Sequence, residues 1–128
     1  MAAELGLADI IAFHGFRLKS EVAEPMRQGD LFVLSRFQEN SPRVLIEAMA
    51  SGLPFVSTLT GGIPEIVEET DGILVPRGDV VRLTEALAQT TEFLDKFDHR
   101  GICQRARQYS LESVGRFLHS IYMECVLR

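Results

Sequence analysis

The chain has 128 residues, 46% hydrophobic and 24% charged, with a formal net charge of −5, a composition that predicts one soluble domain with a real core. The acidic balance and the absence of a basic run exclude a nucleic-acid surface, and no segment approaches the ~20 apolar residues of a membrane span. The start of the chain lacks the basic residues and long apolar core of a signal peptide, and Cys103 and Cys125 lie in helical patterns without metal-type spacing, so two buried reduced thiols in a cytoplasmic protein are expected.

In chain order, residues 2–7 read as the last turns of a helix, weakened by Gly6. Residues 9–13 read as a strand ended by His14-Gly15-Phe16. Residues 20–28 form a short helix with Ser20 as cap, Val22 and Met26 on one face, and Gly29 as stop. Residues 31–34, Leu-Phe-Val-Leu, are a continuous apolar run suited to a strand covered on both faces. A polar loop follows, over residues 35–40. Ser41 is placed as an N-cap and Pro42 as the first helical residue, where its missing N–H is not needed. Val44, Leu45, Ala48, Met49 and Leu53 make the helix stripe, and Gly52 ends it. Pro54 opens a strand over residues 55–57, where it costs no ladder bond.

Gly61-Gly62 then turns into a short helix with Glu65 in its first turn, and residues 72–75 make the last strand. After the turn Pro76-Arg77-Gly78, Asp79 caps a long helix whose apolar face carries Val80, Leu83, Leu87, Thr90, Leu94 and Phe97. A second helical segment, residues 99–109, carries Arg100, Arg105 and Arg107, read as a solvated face. Ser110 caps the last helix. Its stripe of Leu111, Val114, Leu118, Ile121, Tyr122 and Cys125 is expected to dock on its own domain.

The constellation that carries chemistry spans residues 30–65. Glu39 falls in the loop after a buried strand, and Glu47 falls in the helix that this loop opens. Ligand sites in parallel α/β sheets form outside the carboxyl ends of the strands. The free N–H groups of a helix start there favour an anion, usually a phosphate. Plainer readings exist for the same residues. Arg43, Glu47 and Ser51 share one polar stripe, and Arg43 with Glu47 would make an exposed ion pair worth only ~0.3–0.5 kcal/mol. Glu65 is favoured by the helix dipole alone, and Gly61-Gly62 would be a plain turn in most proteins. His14 reads as a strand-end residue.

Four motifs in order carry a resemblance: Glu39-x7-Glu47, Ala48-Met49-Ala50-x-Gly52-x-Pro54, Gly61-Gly62-Ile63-Pro64-Glu65, and Gly72-Ile73-Leu74-Val75-Pro76. From about Ile10 onward the chain resembles the C-terminal, donor-binding domain of the group 1, or family 4, retaining glycosyltransferases. The run Glu39-Asn40-Ser41-Pro42-Arg43-Val44-Leu45-Ile46-Glu47 is similar to a subtype frequent in enzymes of surface polysaccharide synthesis. The resemblance implies a three-layer α/β, Rossmann-like parallel sheet, a partial C-terminal domain of a GT-B-type enzyme. It implies transfer of a sugar from a UDP- or GDP-linked donor to a hydroxyl acceptor with retention, without a metal. It gives Glu47 the ribose hydroxyls and Glu39, as the catalytic-site residue, the donor sugar hydroxyls. The backbone from Asn40 through Ser41, Pro42, Arg43 and Val44 would approach the diphosphate. Gly61 and Gly62 would let backbone come close to the ligand.

The departures are equally specific. Residues 1–128 would form a single partial nucleotide-sugar-binding domain. The N-terminal acceptor domain and the first two strands of this domain, with their phosphate-neutralising Arg and Lys, have no counterpart in these residues. The strand at residues 9–13 must then either join the 31–34 strand directly or stay poorly paired, and an unpaired edge invites self-association. Arg43 or Arg17 would have to replace the lost phosphate charges. A sugar or lipid-linked acceptor would be met through the missing domain, and the full-length protein would sit in the cytoplasm or at the inner face of the membrane. Three other readings use the same residues: the donor-binding subunit of a split enzyme, a non-catalytic remnant, and a sugar-nucleotide epimerase-like protein of the same architecture.

Overall fold

The computed structural model describes residues 1–38, 40 and 42–127; Glu39, Ser41 and Arg128 lie outside them. Three short parallel strands, β1 (Phe32–Leu34), β2 (Phe55–Thr58) and β3 (Gly72–Val75), form a sheet in the order β1-β2-β3. The register sets Phe32 beside Phe55 and Leu34 beside Ser57, then Phe55 beside Gly72 and Thr58 beside Val75. Around the strands run α1 (Lys19–Gln28), α2 (Arg43–Ala50), α3 (Ile63–Ile66), α4 (Val80–Glu92), α5 (His99–Ala106) and α6 (Leu111–Val126).

The strand pleat sorts the core into two sides, because successive side chains point to opposite faces. Leu34 and Phe55 pack with Leu45 and Met49 of α2, Ile63 of α3, and Ile102 and Ala106 of α5. Val56 and Val75 pack on the other face against Ala86 of α4, with Leu83 and Leu87 beside them. The result is the three-layer parallel α/β arrangement read from the sequence. Burial on both faces holds for β2, the central strand, whereas β1 is covered on one face only: Leu34 is buried and Val33 is exposed, against the two-sided cover expected for residues 31–34. Helix α1 lies outside this sandwich, with Met26 against Ala48 and Leu53.

Local signals located most helix ends. Asp79 accepts from the Arg82 amide at 2.9 Å, and Ser110 accepts from the Ser113 amide at 3.2 Å. Gly52 follows α2 with φ +76°, the left-handed C-terminal stop that glycine adopts without a Cβ penalty. Four ends shift by a few residues. The long helix read through Phe97 stops at Glu92, with a 3₁₀ turn at Leu94–Lys96. Helix α1 begins before Ser20, because the Glu21 carboxylate reaches back to accept from the Leu18 amide at 2.8 Å. Pro42 occupies the N-cap position rather than the first helical one. Residues 99–109 split into α5 and a 3₁₀ turn at Arg107–Tyr109.

Four expectations are corrected. Residues 9–13 form no strand, and residues 2–7 form successive turns rather than a helix. Ile10 and Phe13 are 78% and 83% exposed. A strand needs a neighbour to receive its N–H and C=O groups, and β1 is not paired with this segment. The last helix does not dock on its own domain. No residue of α6 is buried, and its stripe of Val114, Phe117, Leu118, Ile121 and Tyr122 faces outward. Helices α2 to α5 supply the described core, and α6 packs chiefly against the Arg107–Tyr109 turn that precedes it. For the same reason Cys125 is exposed rather than buried; Cys103 is half-buried, and both thiols are free.

Candidate functional site

The carboxyl ends of the three strands are tied together by side-chain and backbone bonds. The Thr58 hydroxyl donates to the Arg36 carbonyl at 2.6 Å and accepts from the Arg36 amide at 3.1 Å. The Ser57 hydroxyl donates to the Leu34 carbonyl at 3.1 Å. These bonds extend the β1–β2 pairing past the last ladder position. They hold the loop over residues 35–42 against the loop over residues 59–62.

The second loop grips the first at two further points. The Thr60 hydroxyl donates to the Phe37 carbonyl at 3.3 Å. The Gly62 amide donates to the Asn40 carbonyl at 3.1 Å. A Cβ at Gly62 would lie 2.6 Å from that carbonyl oxygen, closer than any side chain tolerates. Gly62 is therefore required by contact between loops, and Gly61 before it takes φ +53°. The loop after β3 joins the same rim. Phe37 sits over Gly78, and Phe37, Thr58, Pro76, Asp79 and Leu83 line a recess of about 240 Å³.

Helix α2 starts on this rim. The Leu45 amide donates to the Pro42 carbonyl at 3.0 Å, the first bond of the helix. The amides of Arg43 and Val44 precede it and have no partner within the helix. Pro42 is buried, Arg43 is exposed, and Val44 is half-buried against the core. Among the described residues the Arg43 guanidinium takes part in no ion pair, so its charge is available at the helix start.

The polar stripe of α2 does not form the ion pair that its spacing allowed. Glu47 is half-buried and lines a cleft of about 330 Å³ between α1 and α2, beside Lys19 and Met26. It lies about 200° around the helix from the buried Leu45, at 100° per residue. Among the described residues its carboxylate holds no hydrogen bond or ion pair. Asn40, Pro42, Arg43, Val44, Gly61 and Gly62 thus share the rim, and Glu47 stands on the side of α2 turned toward α1. Glu39 and Ser41 lie outside the described residues.

Arg17, the other candidate to replace the lost phosphate charges, is engaged within its own segment. It is exposed and engages Glu21 at 3.9 Å, while donating to His14 Nδ1 at 3.4 Å. His14 is exposed with the rest of its segment. Among the described residues no group of three or more His, Cys, Asp or Glu could hold a metal ion.

Sequence reasoning missed the electrostatic centre behind the site. Asp71 is fully buried at the start of β3, and Arg105 of α5 reaches it with two guanidinium nitrogens, Nε at 3.0 Å from Oδ2. Asp71 Oδ2 also accepts from the Glu68 amide at 3.2 Å. The Asp71 carboxylate holds the Arg105 pKa above the ordinary guanidinium range. Tyr109, just after α5, has its pKa raised by burial and then by the Glu65 carboxylate. Arg105 carries no sequence mark that separates it from Arg100 and Arg107, with which it was read as solvated. Only its place on the inward side of α5 does so.

Residues 1–92 match the family described as glycosyl transferases, group 1. A glycosyltransferase of Escherichia coli (strain K12) named for colanic acid biosynthesis, WcaL, is 38% identical over 109 residues, 80% of this chain and 27% of that protein. A sucrose-phosphate synthase from Thermosynechococcus elongatus is 23% identical, with a TM-score of 0.86 over 98% of this chain and 33% of that one; it shares the fold. An Anabaena protein, HepE, was solved in complex with UDP and glucose. It is 27% identical, with a TM-score of 0.76 over 99% of this chain and 35% of that one. The chain spans about a quarter to a third of the length of these relatives.

Proposed function

Since the chain belongs to the group 1 glycosyl transferases, we propose that it is the donor-binding part of a retaining enzyme that takes a sugar from a nucleotide diphosphate. The observation that carries this reading is the rim itself. Two amides without helical partners lie at the start of α2 with Arg43, which has no ion pair among the described residues, beside a glycine turn tied to Asn40 at 3.1 Å. Such a helix start attracts phosphate through its dipole and its open N–H groups, and Arg43 adds a full charge. UDP is the favoured nucleotide, because the Anabaena relative was solved with UDP and glucose. Glu47 is assigned the ribose hydroxyls, which an unpaired carboxylate can accept from both together. Glu39 is assigned the sugar hydroxyls.

A role in surface polysaccharide synthesis follows the colanic acid relative. The acceptor would be a sugar or lipid-linked hydroxyl held by a further domain. No helix among the described residues is long and apolar enough to cross a membrane. The reading favours a cytoplasmic setting, where nucleotide sugars are made.

Binding, rather than transfer, is the readout suited to a chain of this span. Calorimetric titration with UDP, GDP and UDP-glucose is expected to show UDP binding that weakens in Arg43→Ala and Glu47→Ala. Equal affinity in wild type and both variants would overturn the site assignment.

A further inference from the structure

At the opposite end of α2 the chain carries a second polar cleft. Helices α1, α2 and α5 meet there around a cavity of about 590 Å³, a volume in the range of small-molecule sites, ~300–1,000 Å³. Arg27 of α1, Arg100 of α5 and Arg107 of the following turn line it with His99, and no Asp or Glu does. This concentration of positive charge stands in a chain of net charge −5.

The lining is built from one face. Arg100, Cys103, Gln104 and Arg107 stand at i, i+3, i+4 and i+7, the spacing of a single helical stripe. Among the described residues neither Arg100 nor Arg107 takes part in an ion pair. Arg27 is held by Glu24 at 2.6 Å on the rim. Cations near a helix C-terminus often serve its free carbonyls, but here other groups do. The Ala50 carbonyl accepts from the Cys103 thiol at 3.2 Å, the Gly52 carbonyl from His99 at 2.9 Å, and the Glu47 carbonyl from the Ser51 hydroxyl at 3.1 Å. A carbonyl oxygen only accepts, so His99 Nδ1 carries the proton and the ring is anchored on Gly52. Among the described residues Arg100 and Arg107 are thus left without an ion pair or a carbonyl to serve.

We propose that this cleft binds the phosphate group of an anionic ligand; it adjoins the Glu47 cleft through Arg27, Ala50 and Ser51 and lies at the far end of α2 from the helix start. The eight residues of α2 place its two ends about 12 Å apart along the helix, at 1.5 Å per residue. Arg100 and Arg107 would grip the phosphate oxygens with paired N–H donors. The same chemistry is offered by a soluble phosphorylated metabolite and by a phospholipid headgroup.

The test uses inorganic pyrophosphate, followed by amide shifts in nuclear magnetic resonance and by calorimetry. Pyrophosphate is expected to move the amides of Gly101 and Gln104, with an affinity that falls as salt rises. A variant carrying Arg100→Gln and Arg107→Gln is expected to lose this site's affinity roughly tenfold or more, as removal of charged hydrogen bonds does. Its UDP binding should be unchanged. Stationary α5 amides, or an affinity unaltered in the variant, would overturn the proposal. Neither result depends on whether UDP binds at the rim. Co-sedimentation with phosphatidylglycerol and phosphatidylcholine vesicles then separates the sources. Capture by the anionic vesicles alone, lost in the variant, identifies a headgroup; no capture, with pyrophosphate binding intact, identifies a soluble phosphate.

Discussion

The Asn40 carbonyl accepts a hydrogen bond from the Gly62 amide at 3.1 Å, although the two residues lie in different loops after different strands. This bond closes the loop that follows β1 onto the turn that follows β2. A side chain at position 62 would begin 2.6 Å from the carbonyl oxygen. Gly62→Ala is therefore expected to push the loops apart. The cost should be about 1–3 kcal/mol, the range for overpacking a tight contact, read as a lower midpoint in urea. UDP affinity should fall together with it.

Glu47 offers the opposite case, a residue whose loss should be felt in binding and not in folding. It is half-buried but holds no hydrogen bond or ion pair among the described residues. Glu47→Gln is expected to keep its thermal midpoint within the roughly 0.5 kcal/mol of a neutral substitution. Donor affinity should drop by about tenfold, the value of one charged hydrogen bond. Thermal unfolding and UDP-glucose titration on the same preparation check both halves.

The Asp71–Arg105 pair is expected to be the most sensitive ion pair in the fold. Asp71 is fully buried, whereas Arg105 is 26% exposed. Arg105→Met would strand the carboxylate, at a cost of about 3–5 kcal/mol. Replacing both, Asp71→Leu with Arg105→Met, should cost less than the single change, since no buried charge is left unpaired. A double-mutant cycle in urea measures the difference.

Tyr109 predicts an alkaline limit to stability. Burial and the Glu65 charge raise its pKa in the folded chain above the ordinary value of 10.0. The unfolded phenol therefore loses its proton first. Its contribution is fully present below pH ~10 and is lost as pH climbs through the higher folded value. Tyr109→Phe should flatten the decline of the urea midpoint between neutral and strongly alkaline pH.

Helix α6 should contribute little to the stability of the sandwich. No side chain in it is buried, and Phe117 and Tyr122 are 65% and 67% exposed. Phe117→Ser together with Tyr122→Ser is expected to leave the urea midpoint within about 0.5 kcal/mol of wild type. A large loss of stability would mean that α6 is covered in solution.

What could be read along the chain was whatever neighbouring residues decide among themselves. The apolar runs at residues 31–34, 55–57 and 72–75 announced strands; two-sided cover, read for residues 31–34, belongs instead to the central strand β2, since Val33 of β1 is exposed. Asp79 and Ser110 announced helix starts, and Gly52 a helix end, because caps are bonds between residues two to four apart. The ordered motifs around Glu47 and Gly61-Gly62 pointed to the family that residues 1–92 match. Tertiary structure decided everything that needed a distant partner. Residues 9–13 have the pattern of a strand and no neighbour to complete it. The stripe of α6 has the pattern of a docked helix, yet no residue of it is buried. Arg100, Arg105 and Arg107 look alike in sequence. The rotation of α5 against β3 buries one on Asp71 and turns the other two into a cleft. Local bonds can be read from local spacing, whereas a hydrogen-bond partner or a packing surface tens of residues away exists only once the chain has folded.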